Sequence, residues 1–390
     1  MKYWRGYIAA GIFALIAWAL SEFAKAHSTL VDMIYPYMTR LVQTSLAQWT
    51  SGTEFLVWQI LAVVLGVVVL ASIVLLVVLR WNVVQWLGWV LAGASFLFCM
   101  HTGIYGLNTS AGSLSDDIRL DSNVLSGSLS ELVDTTIYLR DKANELAEKV
   151  PRDTSGKPNY PSFETLAAQA GEGFTTLTFE HSFSVFAGST LPVKKLGWEE
   201  MFTSMGIDGF TMPLTGEAAV NPNMPVVAQP FTMCHEMAHR MCIAPERDAN
   251  LAAFLACRVN SDPIHQYSGY FMALRYCYNS LRSAGTSSAN AAAKEVKAGF
   301  SQLLQQDMQD YDAHYAKNID DKASNLASSV NDTYIKVSGD ESGTKSYGEV
   351  TDLLINWYVQ EIDIPNRAED ENAFDPYDEE QVDLKGWGGK

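Results

Sequence analysis

The chain has 390 residues, 48% of them hydrophobic, and a formal net charge of −17 at pH 7. That length allows two structural units and a large buried core. The acidic balance argues against nucleic acid or anionic lipid as a partner, because phosphate attracts the opposite charge.

The first apolar segment, Gly6–Ser21, follows Lys2 and Arg5 and carries no charge. It reads as an uncleaved membrane helix. A cleaved signal peptide is the alternative, because Ala24-Lys25-Ala26 resembles a small-x-small cleavage site. Either way the following chain is carried across the membrane. Phe55–Leu79 is 25 residues without a charge, and Trp81–Met100 is 20. A hydrocarbon core of roughly 30 Å takes about 20 apolar helical residues, so both segments are long enough to span. Residues 1–104 thus read as a membrane domain with about three transmembrane helices. Lys2, Arg5 and Arg80 place the N-terminus and the turn before Trp81 in the cytoplasm. Residues 26–54, and all beyond about His101, then lie outside. Residues 1–104 hold five Lys/Arg and three Asp/Glu, a net of +2, while the rest hold 22 and 41, a net of −19. A solvated acidic surface on the outer domain accounts for that split.

Residues 105–127 are rich in Ser, Asp and Gly and read as a linker. Ser128-Leu-Ser-Glu131 is a capping-box pattern, opening a helix to about Val150. Pro161 opens another to about Ala170. Over 181–230 the helical period fades, and Gly209–Gly216 and Ala218–Asn221 look like short strands with turns. Helix returns at Phe231–Met241, and Pro245 opens the next, to about Val259. Tyr267–Leu281, Ala291–Tyr315 and Val350–Val359 are further helical patterns. Residues 105–364 make an extracytoplasmic domain, and 365–390 an acidic tail expected to be disordered. Of the five cysteines, Cys99 lies in the third span. Cys234 and Cys257 fall on apolar helical patterns, so buried thiols are expected rather than a disulfide framework.

Chemistry concentrates in Cys234-His-Glu-Met-Ala-His239. On a helix, residues four apart share a face, so His235 and His239 can offer two imidazole nitrogens to one Zn²⁺. Glu236 is rotated away from the metal and can reach a water on it as general base. A charged stripe on a surface helix is the bland reading of so short a motif. The residues that follow weigh against it, because a catalytic zinc needs a third protein ligand. Glu246-Arg-Asp-Ala-Asn250 starts a new helix after a tight turn, and Glu246 and Asn250 share a face. Glu246 is the first choice as third ligand, and Asn250 is placed to accept the free ring N–H of a ligating histidine. Asp248 (another face), Cys242 (only if the first helix runs on) and His265 (a lone loop residue) are the rivals. Five charges between Glu236 and Asp248 argue against a site inside the hydrocarbon.

Thr215-Gly-Glu-Ala-Ala-Val-Asn221, Pro230–His239, Glu246–Asn250 and Ala253–Cys257 resemble the bacterial membrane-protein family catalogued as domain of unknown function 3810. Tyr267-Ser-Gly-Tyr270 and Ser346–Leu354 resemble its later segments, so the likeness covers nearly the whole chain before the tail. That family is regarded as zincin-like. More distantly, Glu246-x-x-Ala-Asn250 is similar to the Glu-x-x-Ala-Asp of membrane zinc peptidases of the CAAX prenyl endopeptidase and HtpX type. There the Glu is the third zinc ligand, which implies the same for Glu246. The chain departs from these patterns at Asn250, where the peptidases have Asp, and at Cys242, where the family tends to have Gly.

The expected protein is mainly α: N-terminal transmembrane helices followed by an α+β zincin-like metalloprotease domain with a small sheet. Its expected function is hydrolysis of peptide bonds outside the cell membrane by a multi-pass zinc metallopeptidase, with an unknown peptide or protein substrate. Tyr267, Tyr270, Tyr334 and Tyr347 are candidate oxyanion stabilisers. The alternative from another class is a non-catalytic, zinc-binding membrane sensor or assembly factor. A structural membrane protein with a chance motif is the third reading.

Overall fold

The computed structural model describes residues 2–120, 128–337 and 346–365. Four long helices come first: α1 (Arg5–Ala26), α2 (Ser28–Thr50), α3 (Val57–Val78) and α4 (Val83–Ile104). Of these, α1, α3 and α4 are long and apolar enough to cross a membrane. The helices α1 and α4 lie side by side and parallel. Gly6 faces the Gly88 backbone so closely that a Cβ on Gly6 would collide with it, and Phe13 meets Phe96 edge-on at 5.2 Å. Small residues at a crossing let apolar helices approach where no water drives them together. Lys2, Arg5 and the turn holding Arg80 therefore share one end of this pair.

The sequence predicts no element over 26–54, where the structure has α2. It is helical despite Pro36 inside it. One face of it grips the rest of the chain. Arg40 donates from Nε to the Met241 carbonyl (3.2 Å) and from Nη1 to the Ser184 carbonyl (3.0 Å), and Gln43 donates to the Pro213 carbonyl at 2.9 Å.

The remaining helices are α5 (Leu114–Asp117), α6 (Leu129–Ala147), α7 (Phe163–Phe179), α8 (Glu199–Ser204), α9 (Gln229–Arg240) and α10 (Glu246–Val259). They continue with α11 (Pro263–Ser283), α12 (Ser287–Ala298), α13 (Gln302–Asn318), α14 (Asp321–Val337) and α15 (Ser346–Tyr358). Among the described residues a single sheet holds β1 (Lys194–Lys195), β2 (Gly209–Met212) and β3 (Glu217–Val220) in the order β1-β3-β2. The central β3 runs parallel to β1 and antiparallel to β2, with Gly209 opposite Val220 and Met212 opposite Glu217. One core joins α6, α7, α9, α10, α11 and α15 around Phe174, Met237, Phe254, Phe271 and Trp357, all buried.

Several expectations need correction. The described part of 105–127 is not a linker: Gly106–Ser110 is a short helical turn, α5 follows, and Leu114, Ile118 and Leu120 are buried. Residues 121–127 lie outside the described residues. The single helix expected over Ala291–Tyr315 is two, because the chain breaks at Gly299 and Ser301 caps α13 through the Leu304 amide. The described cysteines are all free thiols, as expected, and Cys234 and Cys257 touch at 3.6 Å. The acidic tail falls outside the described residues, apart from Pro365.

Candidate metal centre

Pro230 near its start and Met241 at its C-cap bound α9, and Phe231, Met233, Met237 and Ala238 sink it into the core. Helical spacing then brings His235 and His239 together, with their Nε2 atoms 3.1 Å apart and their rings nearly perpendicular. The chain turns back through Cys242, whose φ of 70° is left-handed. That is a conformation glycine adopts freely and other residues at a cost of roughly 1–2 kcal/mol. The Cys242 thiol is taken up beside Thr39 of α2 and Asn108, where burial raises its pKa to about 11. It therefore faces away from the histidines.

Pro245 starts α10 and delivers Glu246 to the histidines. Its Oε2 lies 3.2 Å from His235 Nε2 and 3.5 Å from His239 Nε2. One ligand atom from each of the three residues lies within 4.8 Å of the others, the only such cluster among the described residues. Three lone-pair atoms in such a knot ask for a cation. Ligands about 2.1 Å from zinc at tetrahedral angles stand roughly 3.4 Å apart, so these residues fit the ion. Burial opposes charge on both partners. Against it, Glu246 raises the pKa of His239 to about 9, and the histidines hold Glu246 below the usual carboxylate range.

Glu236 is not part of this cluster. It is 4% exposed, on the neighbouring face of α9, under the edge strand β2. Thr211 donates its hydroxyl to Glu236 Oε2 at 2.7 Å. Gly209 clears space for the carboxylate, since a Cβ there would fall within 3.0 Å of its Oε1, Cγ and Cδ. Burial raises the Glu236 pKa, and Glu246 adds to this, against the lowering effect of the histidines and Thr211. Behind it, Asp208 accepts the Tyr315 hydroxyl at 2.6 Å, and burial with the Glu236 charge lifts its pKa to about 6.

The rivals for the third ligand sit elsewhere. Asp248 accepts the Leu114 amide at 3.2 Å, at the start of α5. His265 is buried with Nε2 on the Leu166 carbonyl. Asn250 does not hold a histidine: its Oδ1 accepts the Tyr276 hydroxyl at 3.1 Å, while His239 Nδ1 meets the Ile243 carbonyl at 2.9 Å. The turn itself thus orients the ring. Tyr267 is committed to Asp307 at 2.5 Å, and Tyr270 packs against Tyr138 and Phe254, both away from the cluster. The side chains of Tyr334 and Tyr347 lie outside the described residues. The tyrosine that the sequence reading missed is Tyr276, half-buried, bonded to Asn250 and within electrostatic reach of Glu246. Gly209, Thr211 and Asp208 were also missed as site residues. Their signal was the strand pattern next to the motif, which marks an edge but not what it touches.

The family model described as "Protein of unknown function (DUF3810)" matches residues 31–355. That is most of the chain, and the chain belongs to this family. No curated protein and no solved structure matches it.

Proposed function

We propose that this member of the DUF3810 family is a membrane-anchored zinc metallopeptidase with a zincin-like domain on the outer side of the membrane. One observation carries the reading: His235, His239 and Glu246 converge on one point while Glu236, next in sequence to a ligand, stays out of the cluster and buried beside it. A site that only binds a metal has no use for such a group.

His235, His239 and Glu246 would hold Zn²⁺. When bound, the ion supplies a Lewis-acidic centre that brings the pKa of water to about 7. A cation at that point also offsets the burial that raises Glu236. Glu236 would take a proton from the attacking water and return it to the leaving amine. Thr211 keeps its carboxylate in one rotamer. Tyr276 would reach a developing oxyanion only by giving up the bond that its hydroxyl donates to Asn250. The strand β2 is at the sheet edge, and a peptide added to it as a further strand would run past Glu236.

Glu236→Gln keeps size and shape and cannot accept the proton. Zinc stoichiometry should stay near wild type, and cleavage of a peptide library should fall about 10²–10⁴-fold. If zinc-loaded wild type cleaves nothing and Glu236→Gln leaves no cellular trace, the zinc-binding sensor or assembly factor replaces this reading.

A further inference from the structure

The helix α2 presents a second face that the fold does not use. Leu30, Met33, Ile34, Tyr37, Met38, Leu41 and Trp49 are all exposed, Leu41 at 66% and Trp49 at 74%. From Leu30 to Leu41 they recur at three- and four-residue steps, and Trp49 follows about two turns on, so they form one stripe. No charged side chain interrupts it, since Asp32 turns aside to the Gly112 amide (2.7 Å) and Arg40 is buried against the domain. An exposed apolar stripe this long on a helix marks a surface that something covers.

The connectivity says what covers it. His27 joins α2 directly to the end of one candidate span, α1, and only six residues separate its end from α3, the next. Both ends of a helix about 34 Å long are thus tied to span ends on the same side of the bilayer. A helix so tied lies along the membrane surface. The tie at its second end is rigid. The carboxylate of Glu217, on β3, accepts the Val57 and Trp58 amides at the start of α3 at 2.8 and 2.9 Å. Lys194 on β1 bonds Glu217, the Thr50 carbonyl and the Phe55 carbonyl. The candidate active-site sheet is therefore bolted to the point where α3 begins. Trp58 also packs on Phe210 of β2 at 5.3 Å and faces Trp198 at 6.5 Å, an aromatic group of the kind that sits at headgroup level.

We infer that α2 lies in the outer membrane interface, its apolar stripe sunk into the lipid and its polar face carrying the metal-bearing domain. Resting on the peptidase reading above, the inference also names the substrate class. A site whose edge strand touches the top of a span takes polypeptide held at the membrane surface, next to a lipid or transmembrane anchor.

The test uses the full chain with Cys99→Ser in nanodiscs of zwitterionic phospholipid. Nitroxides are placed at Met33→Cys or Leu41→Cys, with Lys149→Cys as the aqueous reference. The expected result is frequent collision with dissolved oxygen and little with a water-soluble nickel chelate at 33 and 41, and the reverse at 149. Labels at 33 and 41 that meet the chelate freely, or that meet neither reagent because protein covers them, overturn the interfacial helix. In a second arm the same zinc-loaded discs receive a peptide library, either free or tethered through a lipid anchor. Preference for tethered peptide supports the substrate class, and equal cleavage of both overturns it. Cleavage of neither, with the labels immersed, overturns the peptidase reading and leaves α2 in the lipid.

Discussion

At the scale of single residues, the candidate centre turns on which carboxylates face the histidines. Glu246 meets both histidines, whereas Asp248, two residues on, serves the Leu114 amide. His235→Ala, His239→Ala and Glu246→Ala should each abolish stoichiometric zinc, measured by metal analysis of the purified chain. Asp248→Asn and Cys242→Ser should keep it, and loss in Asp248→Asn with retention in Glu246→Ala would reassign the third ligand. Asp208 offers a pH test. Its folded pKa, about 6, lies above the unfolded value near 4, so the folded chain holds this proton more tightly. The stabilisation is complete at low pH and is lost as pH rises through about 6. Asp208→Asn keeps an acceptor for Tyr315 and removes the charge. The melting temperature in detergent should then fall less between pH 4 and 7 than in wild type, and an unchanged slope would assign the pH dependence to other groups.

At the scale of elements, Glu217 joins the sheet, the start of α3 and Lys194. It is buried, it caps α3, and it pairs with Lys194, whose side chain is 14% exposed. Removing one partner of a buried ion pair costs about 3–5 kcal/mol. Glu217→Ala should therefore lower the unfolding midpoint sharply, while Glu217→Gln, which still accepts one amide, should lose less. An unchanged midpoint in Glu217→Ala would show that the tie bears no weight. The elements differ in how far the sequence discloses them. The candidate spans, α9, α10, β2 and β3 were legible because each carries a local signal: unbroken apolar runs, Pro at a helix start, or turn residues around short strands. The pair of histidines and Glu246 was legible because helical spacing and one tight turn suffice to bring them together. The helix α2 was not, since its apolar stripe faces away from the domain and Pro36 lies inside it, and only tertiary contacts through Arg40 and Gln43 show that the polar face is inside. The role given to Asn250 failed for a similar reason. Its partner, Tyr276, comes from α11, and no spacing within one segment reveals a bond between helices.

At the scale of the whole molecule, charge and architecture divide along the same line. Lys2, Arg5 and Arg80 gather at one end of the α1–α4 pair, while α2 and the −19 portion of the chain follow from the other. Cationic loops are retained in the cytoplasm, and acidic domains are translocated without hindrance. Moving the domain that holds His235, His239 and Glu246 inside would require all three cations to cross together. It would also place the cap of α3 by Glu217 on the cytoplasmic side. We therefore expect a periplasmic-type reporter fused after Lys390 to be active, and one fused at Arg80 to be silent, with a cytoplasmic reporter giving the opposite pattern. Replacing Lys2, Arg5 and Arg80 together with neutral residues should weaken that preference and produce mixed orientations. An active outer reporter at Arg80, with silence after Lys390, would put His235, His239 and Glu246 in the cytoplasm. It would then exclude peptide hydrolysis outside the cell, whatever the metal content.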